Sequence, residues 1–112
     1  MEVKRGDVVI AVLTGDYGKP RPVVVAQSDV FNPTHSSIVV CPITSHLVES
    51  PLFRLTVSPG PGTGLRTESQ IMIDKLVALR TDRIRKRIGT LRPSELRDLD
   101  RALRVWLALA PR

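Results

Sequence analysis

Three short apolar runs dominate the first 44 residues: "DVVIAVLT" (7–14), "RPVVVAQS" (21–28) and "SIVVCPIT" (37–44). They are rich in Val and Ile and bounded by turn-forming residues, which predicts strands. "DYGKP" after the first is a short turn, and "DVFNPTHS" (29–36), with its Asn-Pro pair, is a loop. "LFRLTV" (52–57) alternates weakly and reads as a fourth strand, and "SPGPGTG" (58–64) as a flexible hairpin loop. "SQIMIDKLVAL" (69–79) is strand-like with a bend near Asp74–Lys75, and "RIRKRIGTL" (83–91) fits either a short helix or a final strand. Proline has no N–H to give a ladder, so Pro22 is expected at a strand start or on an edge, and Pro42 at an edge or bulge.

The C-terminus has a different period. Pro93 suits the first position of a helix and Glu95 its first turn. Leu96, Leu99, Leu103, Trp106, Leu107 and Ala110 recur at helical spacing, while Arg97, Asp98, Arg101 and Arg104 fall mostly on the other face. Such a stripe predicts a helix docked on the sheet. The expected architecture is mainly β, a small antiparallel sheet or barrel with a terminal α-helix, and residues 1–112 are too few for a second core.

Aromatic residues make up only 4% of the chain, so Val, Leu and Ile must build the core. No apolar run is long enough to span a membrane, and the N-terminus has no apolar segment of a secretory signal. The single cysteine, Cys41, excludes an intramolecular disulfide, suits a reducing cytoplasm, and lies where a small hydrophobe would pack. One Cys and two His cannot make a structural zinc site, and "GPGTG" lacks the Lys-Ser/Thr of a phosphate loop. A net charge of +6 favours polyanionic partners. The cluster Arg80, Arg83, Arg85, Lys86 and Arg87 is either a solvated face, the default for such a run, or a track for a phosphate backbone.

Register brings two polar residues together. If strands 21–28 and 37–44 pair symmetrically, Ser28 faces Ser37 and Arg21 faces Thr44, with Cβ atoms roughly 4.5–5.5 Å apart. A bulge at Pro22 or Pro42 would move this by a residue. A guanidinium beside a hydroxyl suits an anionic oxygen, above all a phosphate. An ordinary solvated strand end is the other reading of the same geometry.

The order "KRGDVVIAVL", "GKPRPVVVAQSD", "VVCPITSH", "TESQIMIDKLVAL" and a closing amphipathic helix resembles the MazF/PemK family of bacterial toxins over nearly the whole chain. The resemblance implies an SH3-like small β-barrel with a helix, similar in fold to the CcdB gyrase poisons. It implies a cytoplasmic, dimeric endoribonuclease that needs no metal or cofactor, cuts single-stranded RNA at specific sequences, and is neutralised by a cognate antitoxin. Carried over by position, Arg21 and Thr44 match the family's catalytic arginine and threonine, and Arg66 and Glu68 match the basic–acidic pair of the PemK branch. His46, Lys19 and Ser45 join them as candidate acid–base or substrate-binding residues; His35 reads as surface. The segment "TGDYGKP" is shorter than the family's usual first loop, which bears on target choice. In such a site the RNA 2′-hydroxyl attacks its own phosphodiester. Arg21, too weak an acid to serve as a base, stabilises the phosphoryl charge, and Thr44 adds a hydrogen bond. Two other classes stay open: a gyrase poison of the same fold, and a basic module that binds nucleic acid without cutting it.

Overall fold

The β-branched runs lie as strands in the computed structural model, which describes residues 2–110. In chain order the elements are β1 (Asp7–Val12), β2 (Pro20–Val25), β3 (Ser37–Thr44), β4 (Arg54–Val57), β5 (Ser69–Met72), β6 (Val77–Arg80), β7 (Ile84–Thr90) and α1 (Pro93–Trp106). Neighbouring strands run antiparallel in the order β4-β5-β3-β2-β1-β7, with β6 also on β3. The outer strands β4 and β7 do not pair with each other, so the barrel is left open. The mainly β fold with one terminal helix is the expected one.

The β2–β3 register is also the expected one: Val23 pairs with Pro42, Val24 with Cys41 and Val25 with Val40. Continued two residues toward the strand ends, it sets Arg21 across from Thr44. At the other end the ladder stops short of Ser28 and Ser37. Ala26 and Gln27 both donate their N–H to the Val39 carbonyl, at 2.9 and 3.2 Å, a bulge that ends regular pairing.

Both prolines sit deeper than edge positions. Pro22 is the third residue of β2 and pairs with Ile10, one residue before the β3 ladder begins. Pro42 is buried in an interior strand, where the partner on the far side changes from β6, which ends at Val40–Val77, to β5, which starts at Ile43–Ile71. Two residues of β3 there face five of the partner, and the excess forms a 3-10 turn at Ile73–Lys75, the site of the expected bend. The residue with no N–H thus falls where the ladder breaks.

Segment 83–91 resolves as a strand. Ile84 and Ile88 are four apart, a spacing that fits a helix turn and an alternating strand alike. The loop 58–64 is not merely flexible. Thr63 is buried, Gly60 and Gly64 are joined by a backbone bond of 2.9 Å, and the Thr90 N–H donates to the Gly62 carbonyl at 2.9 Å. A turn at 50–53 shortens the fourth strand, which starts at Arg54 because Phe53 and Arg54 both donate to the Ser50 carbonyl.

The sheet is buried on both faces. Val8, Val24, Cys41, Ile43 and Ile71 pack with Leu99, Ala102 and Leu103 of α1. Val9, Ala11, Val23, Val25, Ile38, Val40 and Leu79 form the opposite cluster. The helix begins at Pro93 as expected, with the Glu95 carboxylate accepting from the Arg92 N–H at 2.8 Å. It ends earlier than its apolar stripe. Ala108 takes φ +56°, Leu107 and Ala108 close the last turn, and Leu107 and Ala110 are exposed beyond it. Trp106 rests against Phe53 with ring centroids 5.5 Å apart.

Two arginines tie distant segments. The Arg5 guanidinium donates to the Ala26 carbonyl at 2.8 Å and to Asp100 of α1 at 2.6 Å. Arg54 holds Asp74 through two bonds of 2.8 and 3.1 Å, bracing β4 against the 3-10 turn. Those bonds pull the Asp74 carboxyl below its ordinary value against an opposing push from burial. A lowered folded pKa means stabilisation that is full above the unfolded pKa and fades as pH falls through the folded one. Asp74→Ala should therefore cost about 1.5–3 kcal/mol at neutral pH. In urea denaturation series the gap to wild type should narrow only below the ordinary carboxylate value of 3.8; a gap that stays constant into strong acid would contradict this pairing.

Candidate functional site

A cavity of about 530 Å³ opens at the rim where β2 begins and β3 ends. Its floor follows the sheet ladder. Lys86 pairs with Ile10, Ile10 pairs with Pro22, and the β2–β3 register carries the row on to Ile43, all four lining the cavity. Arg21 and the segment Thr44–Ser45 stand at one side, and Leu65–Thr67, with Ser69, at another. Three cations line it, Arg21, Arg66 and Lys86, together with the hydroxyls of Thr44, Ser45, Thr67 and Ser69, and no carboxylate. Such a lining attracts an anion whose attached group is apolar enough to lie on Ile10, Pro22, Ile43, Leu65 and Ile88.

Gly64 makes the loop wall possible. At φ +76° it presses against β7 so closely that a Cβ would lie 2.2 Å from the Ile88 carbonyl oxygen. Gly89 meets the same loop from the other side, its position leaving only 2.3 Å between a Cβ and the Gly62 carbonyl oxygen. The loop carrying Arg66 is thereby seated against the strand carrying Lys86.

Arg21 is half-buried and stands between two cavities. It also lines a second one of about 510 Å³, with Asp16, Lys75, Arg80, Arg83 and the apolar Val12, Leu13, Pro42 and Leu79. Asp16 Oδ2 lies 2.7 Å from Arg21 Nε. The contact is one of charge, not an aligned hydrogen bond: neither atom has a hydrogen-bond partner among the described residues, although both are buried. Unpartnered buried polar atoms are uncommon and call for an explanation. Here the charge contact holds the guanidinium against Asp16, which lines the second cavity and not the first. Asp16 itself belongs to a loop of turn conformations, with Gly15 and Gly18 at φ +92° and +77° and Tyr17 at +54° with its side chain in solvent.

The residues singled out from the sequence divide into two groups. Arg21, Thr44, Ser45 and Arg66 meet around one cavity. His46, Glu68 and Lys19 are exposed and do not line it. The main-chain N–H of His46 donates to Thr44 Oγ1 at 3.1 Å, which orients the hydroxyl through the backbone and not through the imidazole. Asp16 escaped the sequence reading because a lone aspartate in a Gly-rich turn looks like turn chemistry. Its signal was its place five residues before Arg21, across a tight turn. Cys41 is fully buried, and burial pushes its thiol up to about 12, in keeping with a packing role. Among the described residues no group of three or more His, Cys, Asp or Glu is placed to hold a metal ion, and no helix is long and apolar enough to cross a membrane.

The open antiparallel sheet backed by one helix is a fold that this chain shares with solved toxins. Toxin MazF-mt6 of Mycobacterium tuberculosis superposes with a TM-score of 0.81 at 24% identity, over 94% of this chain and 99% of that one. A mycobacterial endoribonuclease, solved in complex with its cognate antitoxin, superposes at 0.79 with 21% identity, over 98% of this chain and 99% of that one. In sequence, a probable endoribonuclease MazF of Mycolicibacterium smegmatis is 40% identical over 109 residues, 96% of this chain and 99% of its own length. The family model for the PemK-like, MazF-like toxin of type II toxin-antitoxin systems matches residues 4–107, and the chain belongs to that family.

Gly64→Ala should lower stability by about 1–3 kcal/mol from the left-handed backbone alone, and further through the clash with Ile88. The urea midpoint measures it; an unchanged midpoint would show that the loop is not seated on β7 as described.

Proposed function

We propose that residues 1–112 act as one toxin domain, a metal-independent, sequence-specific endoribonuclease that cleaves single-stranded RNA through the substrate's own 2′-hydroxyl. The observation that carries this is the meeting of Arg21 and Thr44 on one cavity that also holds Arg66 and has no lining carboxylate. A scissile phosphate seated there would meet a planar cation and a hydroxyl at its non-bridging oxygens. The 2′-oxygen bonds to phosphorus, the bond to the 5′-oxygen breaks, and the products are a 2′,3′-cyclic phosphate upstream and a 5′-hydroxyl downstream. The 2′-proton is lost and the leaving oxygen gains one. Charge accumulates on the phosphoryl oxygens in the transition state, where a fixed guanidinium acts most strongly. His46 and Glu68 stand outside the cavity, so electrostatic stabilisation by Arg21 and Arg66 is the part of catalysis these residues supply.

Arg21 contacts Asp16, and an entering phosphate competes with that carboxylate for the guanidinium. The 40% identical relative named a probable endoribonuclease supports the activity, and the family's toxin-antitoxin character supports a cognate antitoxin as partner. We place the chain in the cytoplasm, where mRNA is met, and as a homodimer. The exposed Leu52, Val105, Trp106, Leu107 and Leu109 offer apolar surface for association. Light scattering at micromolar concentration should give twice the monomer mass; a clean monomer would contradict the dimer.

Arg21→Ala should lower the cleavage rate roughly 100- to 1000-fold with the fold intact. Thr44→Val keeps the side-chain shape and removes the hydroxyl, which should cost roughly 10- to 150-fold. Cleavage should persist in EDTA and leave a 5′-hydroxyl on the downstream fragment. Deoxyribose placed 5′ of the scissile phosphate should stop cleavage while binding remains, because the phosphates that dominate affinity are untouched. Wild-type rates in both variants would sink the site, and cleavage of the deoxy-substituted strand, or a need for magnesium, would sink the mechanism.

A further inference from the structure

The basic cluster of residues 80–87 does not act as one patch. Its members lie on β6, on the 3-10 turn Thr81–Arg83 and on β7, and they reach different places, with Arg83 lining the second cavity. Arg80 pairs with Asp82. Arg85 donates to the Asp82 carbonyl at 3.1 Å, and Arg87 lies 3.8 Å from Asp7. Lys86 alone of the five lines the cavity shared by Arg21, Thr44 and Arg66. Among the described residues neither Lys86 nor Arg66 forms an ion pair.

The placement of Lys86 is built into the strand pairing. Against β1, β7 shifts register twice: Val8 pairs with Gly89 but Val9 with Arg87, and Ile10 pairs with Lys86 but Ala11 with Ile84. One extra residue, first Ile88 and then Arg85, is accommodated on either side of the Arg87–Lys86 step. Bulges re-aim side chains and gather near functional sites. Partners in an antiparallel ladder share a face. Lys86 is therefore held beside Ile10, on the row that floors the cavity, while Arg87 beside Val9 is turned to the opposite face and toward Asp7. A free ammonium in a cavity with two guanidiniums and no carboxylate has one ready use, a second anionic group on the same ligand.

We propose that Lys86 binds a backbone phosphate of the RNA adjacent to the one held by Arg21, and so fixes the path of the strand across the cavity. This rests on the reading of the site as one for RNA. Lys86 is a binding residue in this account, and the chemical step does not depend on it. It should raise KM when removed and leave kcat close to wild type.

The test is binding of a fluorescently labelled, random-sequence 2′-fluoro RNA pool, which presents the phosphates and cannot be cleaved, across a range of salt concentrations. Lys86→Ala and Lys86→Gln should each weaken binding about two- to fivefold, and lower the slope of log affinity against log salt by about 0.7, the value for one phosphate of a single strand. Lys86→Arg should restore the slope. Arg85→Ala removes the same charge from the same strand and should leave the slope at the wild-type value. Circular dichroism should show the same melting for the Lys86 variants as for wild type, and cleavage kinetics should show the effect in KM. A wild-type slope in both Lys86 variants overturns the proposal, as does an equal fall in Arg85→Ala, which would make the effect one of net charge. Wild-type protein that fails to bind the pool overturns the RNA reading itself, and this proposal with it.

Discussion

The antiparallel register of β2 against β3 is the constraint on which the site depends. It brings Arg21 and Thr44 to one rim, where both line the same cavity, and a slip of one residue would turn side chains to the other face. The apolar pattern cannot hold this register unaided, because Val24 and Cys41 bury one face while Val23, Val25 and Val40 bury the other. The far end pins it instead. There the Val39 carbonyl accepts from both Ala26 and Gln27. The Gln27 side chain donates to the Ser37 carbonyl at 3.2 Å and accepts from the Val39 N–H at 3.2 Å. A polar clasp at one end of the ladder sets the geometry of the charged pair at the other.

The same division runs through the molecule. Apolar burial fills both faces of the sheet, and charge is confined to its rims and to a few bracing pairs. Arg5–Asp100 and Arg54–Asp74 are satisfied by hydrogen bonds and serve the fold. Arg21–Asp16 is a contact without an aligned bond, and Arg66 and Lys86 have no acidic partner among the described residues. Arg21, Arg66 and Lys86 meet on one cavity whose lining holds no carboxylate, whereas the hydrogen-bonded Arg5 and Arg54 lie elsewhere. That lining suits an anion.

Strands 7–14, 21–28 and 37–44 were legible because dense Val and Ile between turn residues admit no other reading, and the Arg21–Thr44 juxtaposition followed from simple symmetric pairing. The details that failed were those set by tertiary contacts. Pro42 was expected at an edge or bulge; it lies on no edge, and its missing N–H falls at a break in the ladder, a partner switch between β6 and β5 that only the fold reveals. The 58–64 loop looked loose because glycine signals freedom, whereas Gly64 serves close approach to Ile88. The helix stripe ran on through Leu107 and Ala110 in the pattern, but the backbone turns at Ala108. His46 drew attention by its chemistry and Glu68 by the family resemblance, and both are exposed outside the cavity. Lys86 was indistinguishable from its basic neighbours until two bulges separated them.

In the proposed mechanism Arg21 and Thr44 act on the same phosphate as a unit. Groups that stabilise one transition state together are non-additive when removed. The direct measurement is a double-mutant cycle on single-turnover RNA cleavage, comparing Arg21→Ala, Thr44→Val and the double variant. The double variant should be scarcely slower than Arg21→Ala by itself. Rate losses that multiply, as for two independent sites, would contradict it.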